Sequence, residues 1–181
     1  MNLSDSVAAV KWPNVPACYG WLSLDRRGCW RLKGETVSHG GLVAFINKHY
    51  GPTHSGDWVF QNGPQAVFVA LDYTPLVLRL QFDGRLTAHT GAAIGEVQAA
   101  YLDEKGSVLL QTSLGPGLLD DRDLAAFVAT CRNEQGHPAT DDELSGCMRG
   151  DLGVRWHGLP IQAINSRDVP QRFGFQPTPF P

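Results

Sequence analysis

Two stretches of the chain present the same features in the same order. SLDRRGCWRLKG begins at Ser23 and YLDEKGSVLLQT begins at Tyr101, and each places Leu-Asp, two charged residues and a glycine between apolar stretches. A glycine three residues after an aspartate favours a hairpin turn, because glycine tolerates a positive φ and the carboxylate accepts nearby backbone N–H groups. Apolar residues with helical spacing follow in both copies and include an Ala-Phe pair, at Phe45 and Phe127. The pattern indicates an internal repeat of a hairpin–loop–helix unit.

The repeat constrains the fold, because a single unit has one apolar sheet face and one apolar helix face and cannot bury both alone. We therefore predict an α+β, β-rich protein with two related hairpin–helix repeats, a mainly antiparallel sheet and a C-terminal extension. Coincidence is the alternative, since hairpins with this turn are common. The predicted organisation is an N-terminal arm at residues 1–20, a first unit with added strands at 21–92, a second unit at 93–132 and the extension at 133–181.

The predicted extension contains local signals of its own. Thr140 and Glu143 have the spacing of a capping box, which predicts a short helix beginning near Asp141. Apolar stretches on both sides of Gly158 predict a hairpin. The proline-rich end of the chain is expected to be extended.

The two repeat helices also have sequence signals at their starts. Ser38 and Asp120 are each expected to cap a helix, because a short polar side chain precedes an apolar helical period in both places. The second copy is longer in the stretch SLGPG, residues 113–117. We interpret this stretch as a loop, since glycine and proline are uncommon inside strands.

Composition favours a soluble globular protein without a polyanionic partner. Hydrophobic residues make up 43% of the chain and charged residues 18%, with a formal net charge of -3 and a pI of about 6.0. A nucleic-acid partner usually requires a strongly basic face, so none is expected. The longest apolar run, residues 66–71, is far below the ~20 residues of a membrane helix. The N-terminus lacks a signal-peptide pattern, so we expect neither export nor a membrane partner.

The four cysteines are scattered and never form a Cys-x-x-Cys pair; they are Cys18, Cys29, Cys131 and Cys147. We interpret them as free, mostly buried thiols in a reducing cytoplasm, with disulfides or a zinc site as the alternatives. Arginines beside Cys29 could lower its pKa, although a buried strand position is the preferred interpretation. No cofactor is implied.

Two groups of polar residues are candidate ligand-binding positions. The first is the stretch FQNGPQ at residues 60–65, where Gln61, Asn62 and Gln65 could hydrogen-bond a small polar ligand. The alternative is that these amides pin a loop to the edge of a sheet. The second group is Asp72, Tyr73 and Arg79, in which Arg79 could bind a carboxylate or phosphate. A solvent-facing arginine is the alternative.

One cluster could ligate a metal ion. His49, His54 and Asp57 follow the first predicted helix with the spacing His-x4-His-x2-Asp. Histidine and aspartate are zinc and iron ligands, but the spacing matches no closed structural site. Ordinary residues at a helix end and in a loop are the preferred interpretation.

The chain contains no sequence motif of a catalytic constellation. There is no Gly-x-Ser-x-Gly, phosphate-binding loop, dinucleotide fingerprint or His-Glu-x-x-His. We therefore expect a non-enzymatic module that binds a small ligand or has a regulatory role in signalling. The alternatives are a metal-assisted hydrolase that uses the histidine cluster, and an adaptor whose partner is another protein.

The order of LDRRGCWRLKG, GDWVFQNGPQAVFVALDYTP, LRLQFDG and YLDEKG resembles that in uncharacterised proteobacterial proteins known only as domains of unknown function. The resemblance covers residues 21–132. It implies tandem β-rich units that are each closed by a helix. A signalling or ligand-sensing role has been suggested for such proteins, and the resemblance implies no catalytic residue.

Overall fold

The computed structural model describes residues 11–181, which form two β-sheets with a few short helices. The α+β, β-rich class predicted from the sequence is therefore confirmed. The chain divides into two compact units. The first contains the described residues up to Pro75, with His89–Gly91 and Gly174–Pro181, and the second contains Leu76–Ala88 and Ala92–Phe173. Most of the predicted N-terminal arm, residues 1–10, lies outside the described residues.

From residue 11 onward, the first unit is a six-stranded sheet with one helix. Its elements are β1 (Ala17–Leu24), β2 (Trp30–Leu32), β3 (Glu35–Thr36), α1 (Gly40–Lys48), β4 (Tyr50–Pro52), β5 (Trp58–Asn62) and β6 (Gln65–Leu71). The strand order is β3-β2-β1-β6-β5-β4, with β1 parallel to β6 and the other neighbours antiparallel. Along β6, Val67, Val69 and Leu71 alternate with less buried residues, as expected of a strand with one face on the core.

The second unit is built on an eight-stranded sheet. Its strands are β7 (Leu76–Leu80), β8 (Leu86–Ala88), β9 (Val97–Asp103), β10 (Val108–Thr112), β11 (Gly115–Leu119), β12 (Cys131–Asn133), β13 (Val154–Trp156) and β14 (Leu159–Ile164). Its helices are α2 (Leu124–Thr130), α3 (Asp141–Met148) and α4 (Val169–Phe173), and a 3-10 turn at Asp121–Asp123 precedes α2. The strand order is β12-β13-β14-β9-β10-β11-β7-β8.

Six strands of the second unit, β9–β14, follow one another along the chain and across the sheet in the same order as the six strands of the first. In both units, three consecutive strands form one half of this set. A helix follows, and three more strands form the other half. In both units the sixth strand of the set is parallel to the first: β6 pairs with β1, and β14 pairs with β9. Strands β13 and β14 lie within the predicted C-terminal extension, and they belong to the same sheet as the predicted second unit.

The units differ in the connection between the fourth and fifth strands of this set. In the first unit β4 and β5 are joined by residues 53–57, which form a tight turn. In the second unit residues 134–153 join β12 to β13 and contain α3. The second unit therefore has an additional helix beside its sheet.

The predicted turns at Asp25 and Asp103 are confirmed. In each, the aspartate Oδ1 accepts the backbone N–H groups two and four residues later, at 2.8–2.9 Å. The glycines of the two turns have φ values of 78° and 79°. Asn133 makes the same two contacts through its own Oδ1, so the turn recurs after β12. The same turn therefore follows three strands of the chain, β1, β9 and β12.

The helix starts follow the sequence signals only in part. The predicted capping box is confirmed, because Thr140 accepts from the N–H of Glu143 and Glu143 accepts from the N–H of Thr140. The prediction for Ser38 is wrong, since His39 is the N-cap of α1 and its Nδ1 accepts from the N–H of Leu42. Asp120 caps the 3-10 turn rather than α2 itself.

Two further local predictions have definite outcomes. The hairpin around Gly158 is confirmed, with Trp156 opposite Leu159 and positive φ values at the two residues of the turn. The interpretation of SLGPG as a loop is wrong, because β11 occupies Gly115–Leu119. Pro116 lacks a backbone N–H, but this is tolerated because Pro116 pairs only with β10. The residues from Gly117 onward pair with β10 on one side and with β7 on the other.

None of the helices found in residues 11–181 is long and apolar enough to cross a membrane. The longest of them, α1 and α3, span Gly40–Lys48 and Asp141–Met148.

Candidate functional site

A cavity of about 300 Å³ lies in the second unit, where α2 and α3 face the hairpin formed by β9 and β10. We call it the helix cavity. It is lined by Leu102, Gly106, Val108, Leu124, Phe127, Val128, Asp141, Leu144, Ser145 and Met148. Most of these side chains are apolar, and two are polar. A concave apolar surface of this size with a few polar groups is typical of a small-molecule site.

Helical spacing explains why these residues reach one cavity. Leu124, Phe127 and Val128 follow the i, i+3, i+4 pattern that forms one face of α2. The residues of α3 that line the cavity, at positions 141, 144, 145 and 148, continue the same pattern to i+7. A single face of each helix therefore forms a wall.

The innermost wall is held rigidly by a cluster of side chains around Phe127, which is 1% exposed. Its ring stacks on that of Trp156 with centroids 5.0 Å apart. The indole Nε1 of Trp156 donates to Thr130 Oγ1 at 3.0 Å, and the Cys131 thiol donates to the carbonyl of Phe127. These contacts fix the position of α2 against the sheet.

Two buried cysteine thiols close to this wall have raised pKa values and are therefore poor nucleophiles. Cys131 and Cys147 are both fully buried. Burial raises the pKa of Cys131 to about 12, and burial also raises the pKa of Cys147. Because the thiolate is the reactive form, neither is suited to nucleophilic chemistry.

The polar side of the helix cavity is the start of α3. Asp141, Asp142 and Glu143 form its first turn. The Glu143 carboxylate already accepts hydrogen bonds from the N–H of Thr140 and from Asn133 Nδ2, and these bonds lower its pKa. Asp141 lines the cavity, is exposed, and has no hydrogen-bond or ion-pair partner among residues 11–181. The site thus presents one carboxylate that is available to a ligand.

The structure places the predicted amide residues in a different region, in the hairpin of β5 and β6. Gln65 Nε2 donates to the carbonyls of Pro13 and Val15, at 2.7 and 2.6 Å. Asn62 Nδ2 donates to Gln65 Oε1, and Gln61 Nε2 donates to the carbonyl of Gly63. A cavity of about 390 Å³ lies here, between this hairpin and the chain at residues 12–16. The hydrogen bonds are those expected of the alternative in which the amides pin a loop.

The other three predicted ligand-binding residues also have defined surroundings. Asp72 is exposed, whereas Tyr73 is 9% exposed and lies 4.5 Å below the guanidinium of Arg26. Arg79 belongs to the second unit and forms an ion pair with Asp123, with Nε and Oδ2 separated by 2.7 Å. That hydrogen bond raises the pKa of Arg79. Arg79 is therefore engaged by a carboxylate of its own chain.

The structure does not bring His49, His54 and Asp57 together as metal ligands. Within residues 11–181 no group of three or more His, Cys, Asp or Glu side chains could hold a metal ion. His49 is the C-cap of α1 and packs on Phe45, with ring centroids 4.6 Å apart. Asp57 accepts from the hydroxyl of Ser55, within the turn that joins β4 to β5.

The preferred interpretation of Cys29 is wrong. Its thiol is exposed and the residue lies in the turn between β1 and β2, not in a strand. The other three cysteines are free and buried as predicted.

None of the residues that line the helix cavity is among the ligand-binding positions predicted from the sequence. The clearest signal of the cavity was present, because Asp141, Leu144, Ser145 and Met148 have helical spacing directly after a recognised capping box. The sequence could not show that this helix stands beside the hairpin of β9 and β10. That placement depends on pairing between strands far apart in the chain, such as β14 with β9.

Comparisons with known proteins give a family and a fold. A family model described as "Protein of unknown function (DUF2946)" matches residues 2–180. An "Uncharacterized tRNA/rRNA methyltransferase YfiF" from Escherichia coli O157:H7 is 31% identical over 147 residues, which cover 74% of this chain. The chain spans only 42% of the length of that relative.

A comparison with solved structures matches two proteins, one of which has a similar fold. A DUF1285 family protein from Silicibacter pomeroyi DSS-3 is 15% identical with a TM-score of 0.56, and the likeness covers 93% of this chain and 97% of that one. A DUF1285 family protein from Shewanella baltica OS155 is 16% identical with a TM-score of 0.46, covering 59% of this chain and 89% of that one. The first likeness indicates that nearly the whole chain has a fold already seen in another domain of unknown function.

Proposed function

The chain belongs to the protein family of unknown function DUF2946, and we propose that it is a non-enzymatic regulatory module that binds a small ligand in the helix cavity. The main support for this proposal is the cavity itself, about 300 Å³ in volume with a mostly apolar lining. Apolar lining supplies affinity through burial of the ligand, and a few polar groups supply orientation. The buried, high-pKa thiols behind it support binding rather than nucleophilic chemistry.

A cavity-filling substitution tests this proposal. Val128 is half-buried in the wall formed by α2, so Val128→Phe should occupy part of the cavity. Val43 is also half-buried on a helix, α1 of the first unit, and Val43→Phe is the matched control. A thermal-shift screen of metabolites should yield compounds that stabilise the wild type and Val43→Phe but not Val128→Phe.

One result of this screen would contradict the proposal: every stabilising compound acts equally on both variants, which would place binding outside the helix cavity. Circular dichroism checks that Val128→Phe is folded. If it is not, Leu144→Phe, on the opposite wall, replaces it in the same screen.

A second candidate function is an accessory role in RNA methylation. It is favoured by the relative named as a tRNA/rRNA methyltransferase and by the basic β1–β2 hairpin, which carries Arg26, Arg31 and Lys33. The formal net charge of -3 weighs against it. This candidate predicts that transfer RNA binds in low salt and that Arg26→Ala weakens binding. The absence of any binding in low salt would remove it.

We also propose that the amide hairpin, with Gln61, Asn62 and Gln65, is a secondary site for a polar ligand. The cavity of about 390 Å³ beside it supports this. Binding that survives Gln65→Ala would exclude it. Asp72, Tyr73 and Arg79 are less suited to this role, since Arg79 is held by Asp123.

We further propose that the two units derive from one repeated segment, and that the protein acts in the cytoplasm. The shared strand order supports the repeat. Four free cysteines support a reducing compartment. Aligning first units on second units across family members tests the first statement, and cell fractionation tests the second.

A further inference from the structure

We propose that the ligand of the helix cavity is a small apolar molecule with one protonated amine, whose amine lies at Asp141 and whose apolar body lies between α2 and α3. This inference rests on the proposed function and adds the chemical class of the ligand. It follows from the distribution of polarity within the cavity, from the charges at its rim and from its volume.

The polarity of the lining is one-sided. The ionisable group among the lining residues is the Asp141 carboxylate, and one turn further along the same helix face stands the Ser145 hydroxyl. The remaining side chains of the lining are apolar, including Leu124, Phe127 and Met148. A ligand that fits this surface has a single polar end and an apolar remainder.

The sign of the charge at that end follows from the carboxylates of the first turn of α3. A helix N-terminus ordinarily favours an anion. The first turn of α3 already contains three carboxylates, those of Asp141, Asp142 and Glu143. The capping box with Thr140 also satisfies backbone N–H donors at this helix end. An anionic ligand would meet like charge, whereas a cation would gain a charge-assisted hydrogen bond to Asp141.

The neighbouring turn does not reverse this sign. Gly106, which lines the cavity, follows Glu104 and Lys105, whose charges oppose each other. Glu104 is also held by the N–H and hydroxyl of Ser166. The rim therefore stays acidic where α3 begins.

The volume limits the size of the apolar body. An engineered cavity of about 150 Å³ holds benzene, and the helix cavity is about 300 Å³. The expected ligand is therefore about the size of two fused rings, or of an aliphatic chain of similar volume. Tryptamine has this size and carries one amine, so it is a suitable probe.

The experiment compares three probes that share a 3-ethylindole body and differ in its terminal group, measured by calorimetry at neutral pH. Tryptamine carries the amine, indole-3-propionic acid carries a carboxylate, and 3-ethylindole is neutral. The proteins are the wild type, Asp141→Asn, Asp142→Asn as the matched control from the same helix turn, and Val128→Phe. Circular dichroism confirms that each variant is folded.

We expect tryptamine to bind the wild type about tenfold more tightly than indole-3-propionic acid, since about 1.4 kcal/mol from one charge pair corresponds to that ratio. Asp141→Asn should remove most of this preference and leave binding of 3-ethylindole unchanged. Asp142→Asn should change the preference less, because Asp142 is not among the cavity-lining residues.

Failure of the ligand class differs from failure of the proposed function. Equal affinity for amine and carboxylate, or a preference that survives Asp141→Asn, would overturn the ligand class while 3-ethylindole still bound and Val128→Phe still blocked it. If none of the three probes binds at millimolar concentration, or if Val128→Phe blocks none of them, the helix cavity is not the binding site and both proposals fail.

Discussion

The two units of this protein share the order of six strands, but one connection between those strands differs and the second unit also contains β7 and β8. The first unit joins its fourth and fifth strands by a tight turn at residues 53–57, and the second places α3 in the corresponding connection. Six strands of each sheet thus share one order, and the added helix supplies one wall of the helix cavity. Connections between shared strands are where a function specific to one unit is expected.

The largest expected effect contrasts the phenylalanines of α1 in the first unit and α2 in the second. Phe127 of α2 is 1% exposed, whereas Phe45 of α1 is only half-buried. Phe127→Ala should lower the free energy of unfolding by about 3–5 kcal/mol. Phe45→Ala should cost about 1–2 kcal/mol, because less apolar area is removed from water. Urea denaturation measures both, and equal losses would contradict the difference in burial between the units.

The next effect concerns two turn glycines with similar backbone conformations. Gly56 and Gly136 have φ values of 89° and 80°. A Cβ on Gly56 would lie 2.5 Å from the carbonyl oxygen of Gly174, whereas a Cβ on Gly136 would meet nothing within 4 Å. Gly136→Ala should cost about 1–2 kcal/mol from backbone strain alone, and Gly56→Ala about 2–4 kcal/mol from strain and overlap. Denaturation curves in which Gly136→Ala is the more damaging variant would contradict this packing.

A pH-dependent effect belongs to the first unit. Burial lowers the pKa of His89 to about 4, and its ring packs on those of Trp30 and Tyr50. The unfolded chain, with a histidine pKa near 6.5, binds a proton at higher pH than the folded chain. Stability is therefore lost as the pH falls from about 6.5 towards 4, by about 3 kcal/mol in total.

The His89→Phe variant isolates this effect from the other titrations. Its unfolding free energy should fall less steeply than that of the wild type between pH 6.5 and 4. Parallel pH profiles for the two proteins would show that the pKa of His89 is the same in the folded and the unfolded chain.

The smallest expected effect tests the cap of the added helix. Thr140→Ala removes the side-chain acceptor of the capping box and should cost about 1 kcal/mol. Hydrogen exchange should quicken in α3 and remain unchanged in α1, whose cap is His39. Exchange that quickens equally in both helices would show that the loss is global rather than local.

The turns and helix signals could be predicted from the sequence because they are local. The Asp25 and Asp103 turns depend on residues within four positions, and so does the capping box of Thr140 and Glu143. Because the turn depends only on nearby residues, the recurrence of its sequence is limited support for an internal repeat. The turn also forms at Asn133, so the two Leu-Asp phrases are weaker support for a repeat than the shared strand order.

The long-range pairings and the site could not be predicted in the same way. β11 begins Gly-Pro-Gly and reads locally as a loop, yet Gly117 pairs with β7 as a strand. A Cβ at Gly117 would lie 2.6 Å from the Leu78 side chain, so glycine permits this close packing. The predicted ligand residues were chosen for their polar side chains, and Gln65 and Arg79 use those groups within the fold. The candidate site was instead mostly apolar, and polar motifs do not reveal such a surface.

Under the proposed function, the added helix α3 makes the second unit the binding unit. Hydrogen-exchange mass spectrometry of the full chain, with and without saturating tryptamine, checks this. We predict that the amine slows exchange in residues 124–130 and 141–148, while exchange in residues 40–48 and 58–71 is unchanged. Slower exchange confined to the first unit, or no change at saturation, would contradict the claim.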